Sequence, residues 1–368
     1  MTLNATYKND QFLLDGNRTH NYEFPETTAA DVLWKIMPPL LIVMGTFGNC
    51  LSLAVMTRKS MRATPIGIYL ATLSVADLVV LWVGLMRHLL SSFDVADIRE
   101  FSVFSCQMTK FLTYFSMDFA AYILVAVSVE RYIAVCQPEK ASTLCTIKRS
   151  VAVLAIIAVL IAAKTLHVFW TRGNEYQLVG NETVLVRVCG YPNESYRFFW
   201  KHVLPWIIFC VYVIGPFATM LVLNILIING LYNLEKRRFH RNGNAPDKWG
   251  SDSRSSNGLL GSQSQSKNER ARHAYTKSLT IMLLSVTIAF LVLSIPGFIN
   301  RLLQSYWKRK IGDPHEKAKF ELTQAVVLIL NYANHSINFF LYCLTGRRFR
   351  EELRNIIREI FSFLKCSN

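Results

Sequence analysis

The sequence predicts an all-α membrane protein, a seven-transmembrane helix bundle followed by an amphipathic C-terminal membrane-surface helix. Of its 368 residues, 52% are hydrophobic and the mean hydropathy is +0.25, which is too apolar for an ordinary soluble domain. A helix needs about 20 residues to cross a bilayer. Seven apolar stretches are at least that long, namely residues 34–57, 66–90, 103–135, 148–170, 201–232, 274–305 and 320–345.

The distribution of charge predicts how the chain is oriented. An odd number of spans places the two termini on opposite sides of the membrane. Residues 233–273 carry nine Lys and Arg against four Asp and Glu, whereas residues 1–33 carry two against five. Basic loops remain cytoplasmic, so we expect an extracellular N-terminus and a cytoplasmic C-terminus at the plasma membrane. The same loops account for the net charge of +15, and nucleic acid is not expected as a partner.

The segments predicted to be extracellular carry the sequons of the chain. Residues 1–33 are polar and acidic, without the basic start and short apolar core of a signal peptide, and are predicted to form a tail. Asn-X-Ser/Thr sequons accept N-linked glycans on the outer side of the membrane. Glycosylation is expected at Asn4, Asn17, Asn181 and Asn193.

Two cytoplasmic segments flank the last spans. Residues 241–267 are rich in Ser, Gly and Asn and are predicted to be a disordered loop, either with phosphorylation sites or as a plain linker. Residues 346–368 follow the membrane domain, 34–345, with apolar residues at helical spacing and interleaved arginines. This pattern predicts an amphipathic helix on the inner leaflet of the lipid bilayer. Cys366 is then either palmitoylated or a free thiol.

Several short motifs stand at fixed places along the spans. The triplet Glu130-Arg131-Tyr132 ends the third span, and the run from Asn338 to Tyr342 lies near the end of the seventh. The remaining motifs are Gly48-Asn49, Leu73-Ser74-Val75-Ala76-Asp77, Cys106, Pro216, Phe290 with Pro296, and Phe349. Jointly they resemble the rhodopsin-like (class A) family of G-protein-coupled receptors, over about residues 34–364.

This resemblance implies a receptor rather than an enzyme. Such a protein binds an extracellular ligand and activates heterotrimeric G proteins, with arrestin and receptor kinases as further partners. The run Asn338-Phe339-Phe340-Leu341-Tyr342-Cys343 is similar to that of neuropeptide receptors of the FMRFamide-receptor type. A neuropeptide is therefore the expected ligand, and a non-peptide small molecule is the alternative.

The resemblance also assigns roles to particular residues. The G-protein coupling switch would comprise Glu130, Arg131, Tyr132, Asn338 and Tyr342. Asp77 would lie in a polar network with Asn49, Asn334 and Asn338, with either a bound sodium ion or a hydrogen-bonded carboxyl in either protonation state. Ala120 replaces a serine that often helps to bind that ion. Cys106 and Cys189 are the family's disulfide pair and the only two cysteines on the outer, oxidising side.

The ligand is expected in the outer half of the bundle. Thr113 stands where amine receptors place an aspartate, and residues 320–345 contain no lysine for a retinal Schiff base. A larger ligand fits better, in a mostly apolar pocket with a few polar groups. The expected wall, each member of which could instead serve helix packing, comprises Arg87, His88, Thr113, Tyr114, Met117, Trp206, Tyr212, Phe298, Arg301, Gln324, Asn331 and Tyr332.

Two ionisable residues lie at similar depth within adjacent spans. Because an isolated charge there is unfavourable, we expect an ion pair between Asp118 and Lys164, either structural or in contact with ligand. The outer loop 306–319 is basic as well. It could steer an acidic ligand or pair with the acidic N-terminal tail.

The chain departs from the family pattern at positions linked to switching. Phe339 replaces the proline of the seventh span, which places its kink in doubt. Ser294 replaces a tryptophan, and Asn224 replaces a tyrosine that would receive Arg131. Thr276 stands where many relatives carry an acid that restrains that arginine. Weakened restraints predict appreciable ligand-independent signalling.

Other function classes find little support in the sequence. A transporter or channel would show inverted repeats or polar breaks at mid-membrane, and neither is evident. The sequence contains no HExxH, P-loop, GxGxxG or GxSxG motif and no zinc-ligand spacing. No cofactor is therefore expected beyond the candidate sodium ion.

Overall fold

A computed structural model describes residues 24–243, 277–297, 299–300, 303, 306–307 and 310–366. Six helices are long and apolar enough to cross a membrane, and a bent helix pair makes a seventh span. The six run over Pro25–Met56, Pro65–Ser92, Val103–Cys136, Ile147–Thr171, Glu194–Leu234 and Lys277–Gly297. The seventh comprises Pro314–Asn334 and Asn338–Thr345. The predicted seven-span bundle is thus confirmed.

Side-chain caps define where several of these helices begin. The hydroxyl of Thr64 accepts a hydrogen bond from the Gly67 amide at 3.1 Å, and Ser102 does the same for Ser105 at 3.0 Å. Asp313 accepts from the His315 amide at 2.8 Å, with Pro314 at the first helical position. Each cap satisfies an amide that the helix cannot pair internally.

Some boundaries differ from the predicted ones. The first helix begins at Pro25, within the segment predicted to be a tail. The helix of the fifth span runs on to Gly243, so residues 241–243 of the predicted disordered loop are helical. Residues 244–276 lie outside the described part. Short helices at Lys59–Arg62 and Pro138–Leu144 occupy the loops after the first and third spans. These loops lie at the end of the bundle that carries the C-terminal helix, which we name the inner end, and the opposite end is named the outer end.

Within the described residues, two spans contain π-helical turns. They occur at Val80–Leu85 in the second span, and at Phe199–Val203 and Phe209–Ile214 in the fifth. A π-turn rotates the residues that follow relative to an unbroken α-helix. The fifth span has a short α-helix, Leu204–Ile208, between its two π-turns. Its rotation about the helix axis therefore depends on the tertiary structure and does not follow one continuous helical period.

The seventh span bends by 51° between its two helices, although the expected proline is Phe339. The Asn49 amide donates to the backbone carbonyl of His335 at 2.8 Å. Ser336 donates its hydroxyl to the carbonyl of Leu41 at 3.0 Å. Side chains that pair with backbone groups at a break can bend a helix without proline. The kink that the sequence placed in doubt is present.

The loop between the fourth and fifth spans forms an antiparallel hairpin, which the all-α prediction did not include. Strand β1 covers Gly173–Val179 and strand β2 covers Glu182–Gly190. Gly180 turns the chain with a φ of +65°, a conformation that glycine adopts readily. A disulfide joins Cys106 to Cys189, with their Cα atoms 5.4 Å apart, and so fixes the end of β2 to the third span.

A continuous core fills the inner half of the bundle, while apolar side chains cover its outside. Leu124, Met220 and Phe349 are buried in that core. By contrast, Phe47 is 61% exposed and Val159 is 67% exposed. Large apolar side chains facing outward on spans of this length are expected to contact lipid.

The last helix, Arg347–Cys366, begins against this core and continues along the inner end of the bundle. Phe349 is buried, whereas Ile360 and Phe361 are exposed. Arg58 donates to the carboxylate of Glu359 at 2.9 Å. This bond raises the pKa of Arg58 and lowers that of Glu359 from their ordinary values. The helix is thereby tied to the first inner loop.

Candidate functional site

A cavity of about 270 Å³ opens in the outer half of the bundle, between the second, third, fourth, fifth and seventh spans. Seven of the residues predicted to contact ligand line it, namely Arg87, His88, Thr113, Tyr114, Met117, Asn331 and Tyr332. They come from the second, third and seventh spans, and the sequence alone does not show how these helices are rotated and aligned against one another. The cavity has room for a ligand group.

The third span supplies one helical face to this cavity. Lys110, Thr113 and Met117 follow one another at three- and four-residue steps and so point the same way. Across from them, an added Cβ at Gly84 would lie 3.1 Å from the methyl group of Thr113 and 3.2 Å from Tyr332. Glycine therefore permits the close approach of the second span to the third and seventh.

Asp118 and Lys164 contact one another at the cavity wall, and this confirms the expected ion pair. The side chains are 7% and 20% exposed. Because both residues line the cavity, the pair belongs to the site and not only to helix packing. Ligand polar groups placed deep in the cavity would meet a neutralised pair.

Two predicted wall residues lie elsewhere, and three others fall outside the described part. Trp206 is 66% exposed on the outer face of the fifth span. Leu204 and Ile208 line the cavity instead, and a residue two positions from Leu204 lies about 200° around the helix. Gln324 lies one turn beyond Leu328, where the lining ends. The Tyr212 side chain, Phe298 and Arg301 are not described.

Several lining residues were not predicted. They are Arg99, Thr109, Lys110, Thr165, His167, Leu204, Ile208 and Leu328. Lys110 could have been found, because it precedes Thr113 by one helical turn. Arg99 could not, since it belongs to a short turn, Ile98–Glu100, whose fold the sequence does not specify. Although burial raises the pKa of the neighbouring Asp97, hydrogen bonds from Arg99 hold it below its ordinary value.

Asp77 lies fully buried at the bend of the seventh span. Its two oxygens accept hydrogen bonds from His335 Nδ1 at 2.7 Å and from Asn338 Nδ2 at 2.8 Å. Two expected partners point elsewhere: Asn49 donates to a backbone carbonyl, and Asn334 Nδ2 donates to Ser294 at 3.4 Å. The bend brings His335 to Asp77, and the sequence prediction missed it.

These residues do not fit the candidate sodium ion. Hard cations are held by several oxygen ligands. Both carboxylate oxygens of Asp77 already accept hydrogen bonds, the nearest new partner is a histidine nitrogen, and Ala120 brings no oxygen. The network therefore resembles the hydrogen-bonded alternative rather than the ion-bound one.

At the inner end of the third span, Glu130 and Arg131 are both buried and lie side by side. Arg131 donates to Glu130 Oε1 at 3.2 Å. Glu130 Oε2 and Arg131 Nε have no hydrogen-bond partner among the described residues. Thr276, the position of the absent acid, lies outside them. This arrangement leaves Arg131 neutralised by its own neighbour in sequence.

The other switch positions are arranged as follows. Asn224 Nδ2 donates to the hydroxyl of Thr287 at 2.8 Å, which links the fifth and sixth spans. Tyr342 is buried against Phe349, and its hydroxyl has no partner in the described part. The Tyr132 hydroxyl lies 3.5 Å from Gln137 Nε2. Asn224 therefore serves an interhelical bond and does not receive Arg131.

The candidate modification sites are partly described. Asn181 is exposed at the hairpin turn, and Asn193 is exposed where it caps the helix at Glu194–Phe198. Asn4, Asn17 and the side chain of Cys366 lie outside the described residues. In the basic outer loop, Lys319 pairs with Glu316 at 3.0 Å, so part of its charge is balanced locally.

Comparison with known proteins places this architecture in a family. The family described as "7 transmembrane receptor (rhodopsin family)" matches residues 48–342. The chain is similar to the thyrotropin-releasing hormone receptor of Gallus gallus, with 25% identity over 90% of this chain and 80% of the relative. It is also similar to neuromedin-U receptor 2 of Mus musculus, with 23% identity over 96% and 83%. The chain belongs to the rhodopsin family of seven-transmembrane receptors.

Proposed function

We propose that this receptor binds an extracellular peptide in the cavity of the outer half and activates a heterotrimeric G protein at its inner face. The observation that carries the proposal is the cavity itself, which begins one helical turn from the disulfide-bonded Cys106 and collects side chains from five spans, polar or aromatic ones from four of them. Relatives aligned over most of their length are named as receptors for thyrotropin-releasing hormone and neuromedin-U. A secreted signalling molecule is the corresponding ligand class.

The proposed orientation follows from the charge of the loops. The loop that holds the hairpin and the two exposed sequons would face outward, and the C-terminal helix with its arginines would face the cytoplasm. Arrestin and receptor kinases would meet the same inner face. Ligand would act by favouring the state in which this face admits a G protein.

Arg131 is the proposed contact for the G protein, and Glu130 restrains it at rest. With no second restraint on Arg131 among the described residues, we expect basal exchange above that of mock membranes. Glu130→Gln removes the charge that holds Arg131 and should raise basal exchange several-fold. Arg131→Ala should abolish exchange, both basal and peptide-stimulated.

The test measures nucleotide exchange on purified G proteins by membranes that hold the full chain, with and without a peptide library. Glu139→Gln is the matched control, because it removes a carboxylate from the exposed inner helix Pro138–Leu144. Basal exchange equal to that of mock membranes would refute the predicted ligand-independent activity. Solute or ion flux without any exchange would overturn the receptor function as a whole.

A further inference from the structure

Three cations lie around the outer cavity without a carboxylate in ion-pair contact among the described residues. Arg87 and Lys110 line the cavity, and Arg172 lies beside it. The contacts of Arg87 and Arg172 in the described structure are to His88, Tyr191 and Trp200. Lys110 lies 5.7 Å from the Trp200 ring. None of these contact partners carries a negative charge, although the charge of Asp97 also acts on Arg87 and Lys110 from farther away.

The acids of this region are engaged elsewhere. Asp97 accepts hydrogen bonds from Arg99 at 3.0 Å, and Asp118 pairs with Lys164. Glu175 pairs with Arg197 at 2.6 Å. Glu100 accepts from the backbone amides of Val188 and Cys189 at 3.0 and 3.4 Å. The described part of the outer half therefore has more cations at the cavity than acids to balance them.

Arg87 and Lys110 lie at the same depth. The second span runs outward and the third runs inward, and they touch where Gly84 meets Thr113. Arg87 is three residues outward from Gly84, and Lys110 is three residues outward from Thr113. Each is thus about 4.5 Å beyond the contact. Both charges face the same level of the cavity.

Lys110 and Arg172 also share a neighbour. The Arg172 guanidinium lies 3.7 Å from the centre of the Trp200 ring, which Lys110 approaches as well. The charges of Arg172, Arg99 and Arg87 repel the Lys110 ammonium, and the charge of Asp97 opposes them in part. Like charges gathered in a partly buried site repel one another, and an anion placed between them would relieve that repulsion.

Two histidine rings, His88 and His167, also line the cavity. A guanidinium can only donate, so His88 Nε2, 2.8 Å from Arg87, accepts and the ring is neutral. His167 Nδ1 donates to the Lys164 carbonyl at 2.8 Å, and its buried Nε2 has no partner in the described part. His167 Nε2 is therefore available to accept from a ligand N–H or O–H.

We infer that the ligand presents an anionic group, a carboxylate, which binds between Arg87 and Lys110 near Arg172. This inference rests on the proposed function, since it names the chemical class that the ligand cavity takes. About 270 Å³ holds a terminal residue or one acidic side chain rather than a whole peptide. The carboxylate could belong to a free peptide C-terminus or to an Asp or Glu side chain.

Four pools of N-acetylated pentapeptides with shared apolar positions distinguish these sources. The first pool ends in a free carboxylate, and the second is amidated and contains one Asp or Glu. The third is amidated and neutral, and the fourth is amidated with one Lys or Arg. The readouts are nucleotide exchange in membranes with the full chain and the melting temperature of the purified receptor. We expect the first or the second pool to act.

Variants of the cavity test the assignment to particular residues. Lys110→Met and Arg87→Gln should each raise the concentration needed for half-maximal response to the acidic pool by about tenfold or more. Lys110→Glu should reverse the preference, toward the fourth pool. Lys201→Met is the matched control, because it removes a lysine charge from an exposed site of the same outer half. Surface expression is measured for every variant.

The outcomes separate the two proposals. Response only to neutral or basic pools overturns the anionic ligand and leaves the peptide receptor intact. An acidic pool whose potency is the same with Lys110→Met, Arg87→Gln and Lys201→Met also overturns the anionic site. Silence with all four pools overturns both proposals. If Lys110→Met fails to reach the surface, the pools on the unaltered receptor and the Arg87→Gln variant still decide.

Discussion

Lys164 lies well inside the fourth span, and its ammonium contacts the carboxylate of Asp118 on the third. Either charge alone would be unfavourable there, because both side chains belong to membrane-spanning helices and are largely buried. The pair shows how single residues of this chain are matched across helices. Glu130 and Arg131 show the opposite case, in which the two charges are adjacent in sequence.

The ion pair gives a prediction at this scale. Asp118→Asn or Lys164→Met alone should lower stability by about 3–5 kcal/mol, since each leaves one buried charge uncompensated. The double variant should lose less than the sum of the single losses. Thermal unfolding of the purified receptor measures this, with Lys148→Met, an exposed lysine of the same span, as control. Additive losses would show that the two residues do not interact.

At the scale of the helices, the decisive feature is the bend of the seventh span at His335. The break turns the histidine ring inward to Asp77 and releases its backbone carbonyl to Asn49. A straight helix would carry Asn338 and Tyr342 to other positions. The same break therefore connects the polar network in the middle of the bundle to the inner end of the span.

This arrangement predicts a receptor that does not respond to sodium. Both oxygens of Asp77 are already hydrogen-bonded, so replacing NaCl with choline chloride at equal ionic strength should change neither basal exchange nor melting temperature. His335→Ser frees one oxygen and adds a hydroxyl, and any sodium effect is expected only in that variant. A sodium-dependent fall in basal exchange of the unaltered receptor would contradict the assignment of His335.

For the whole molecule, one covalent link connects the outer hairpin to the membrane bundle. The disulfide spans 83 residues of sequence and is supported by Glu100, which accepts from two amides at the end of β2. The cavity begins one helical turn from Cys106, at Thr109 and Lys110. The position of the hairpin therefore affects how a ligand reaches the cavity.

Removal of this link should act on stability and on ligand response together. Cys106→Ser, Cys189→Ser and the double variant should each lose about 2–4 kcal/mol of stability and show the same reduced ligand response. Cys210→Ser is the control, because Cys210 is a free and exposed cysteine of the fifth span. Melting temperature and exchange measure the effect. A double variant much worse than either single one would show that the cysteines act separately.

The sequence by itself determined the number of spans, their approximate limits and the family. These follow from apolar length, charge asymmetry and motifs, which are properties of local sequence. It also indicated the Asp118–Lys164 pair, because a lone charge within a span requires a partner, and much of the cavity wall on the second, third and seventh spans.

Only the tertiary structure decided which side chains meet. The π-turns of the fifth span turn Trp206 outward and Leu204 inward, and no periodicity of the sequence shows such a turn. The bend at His335 depends on bonds from the first span, and the Asp97–Arg99 turn and the hairpin depend on contacts between distant segments. Local sequence sets how long a helix is, whereas its rotation and bending are set by the helices packed against it.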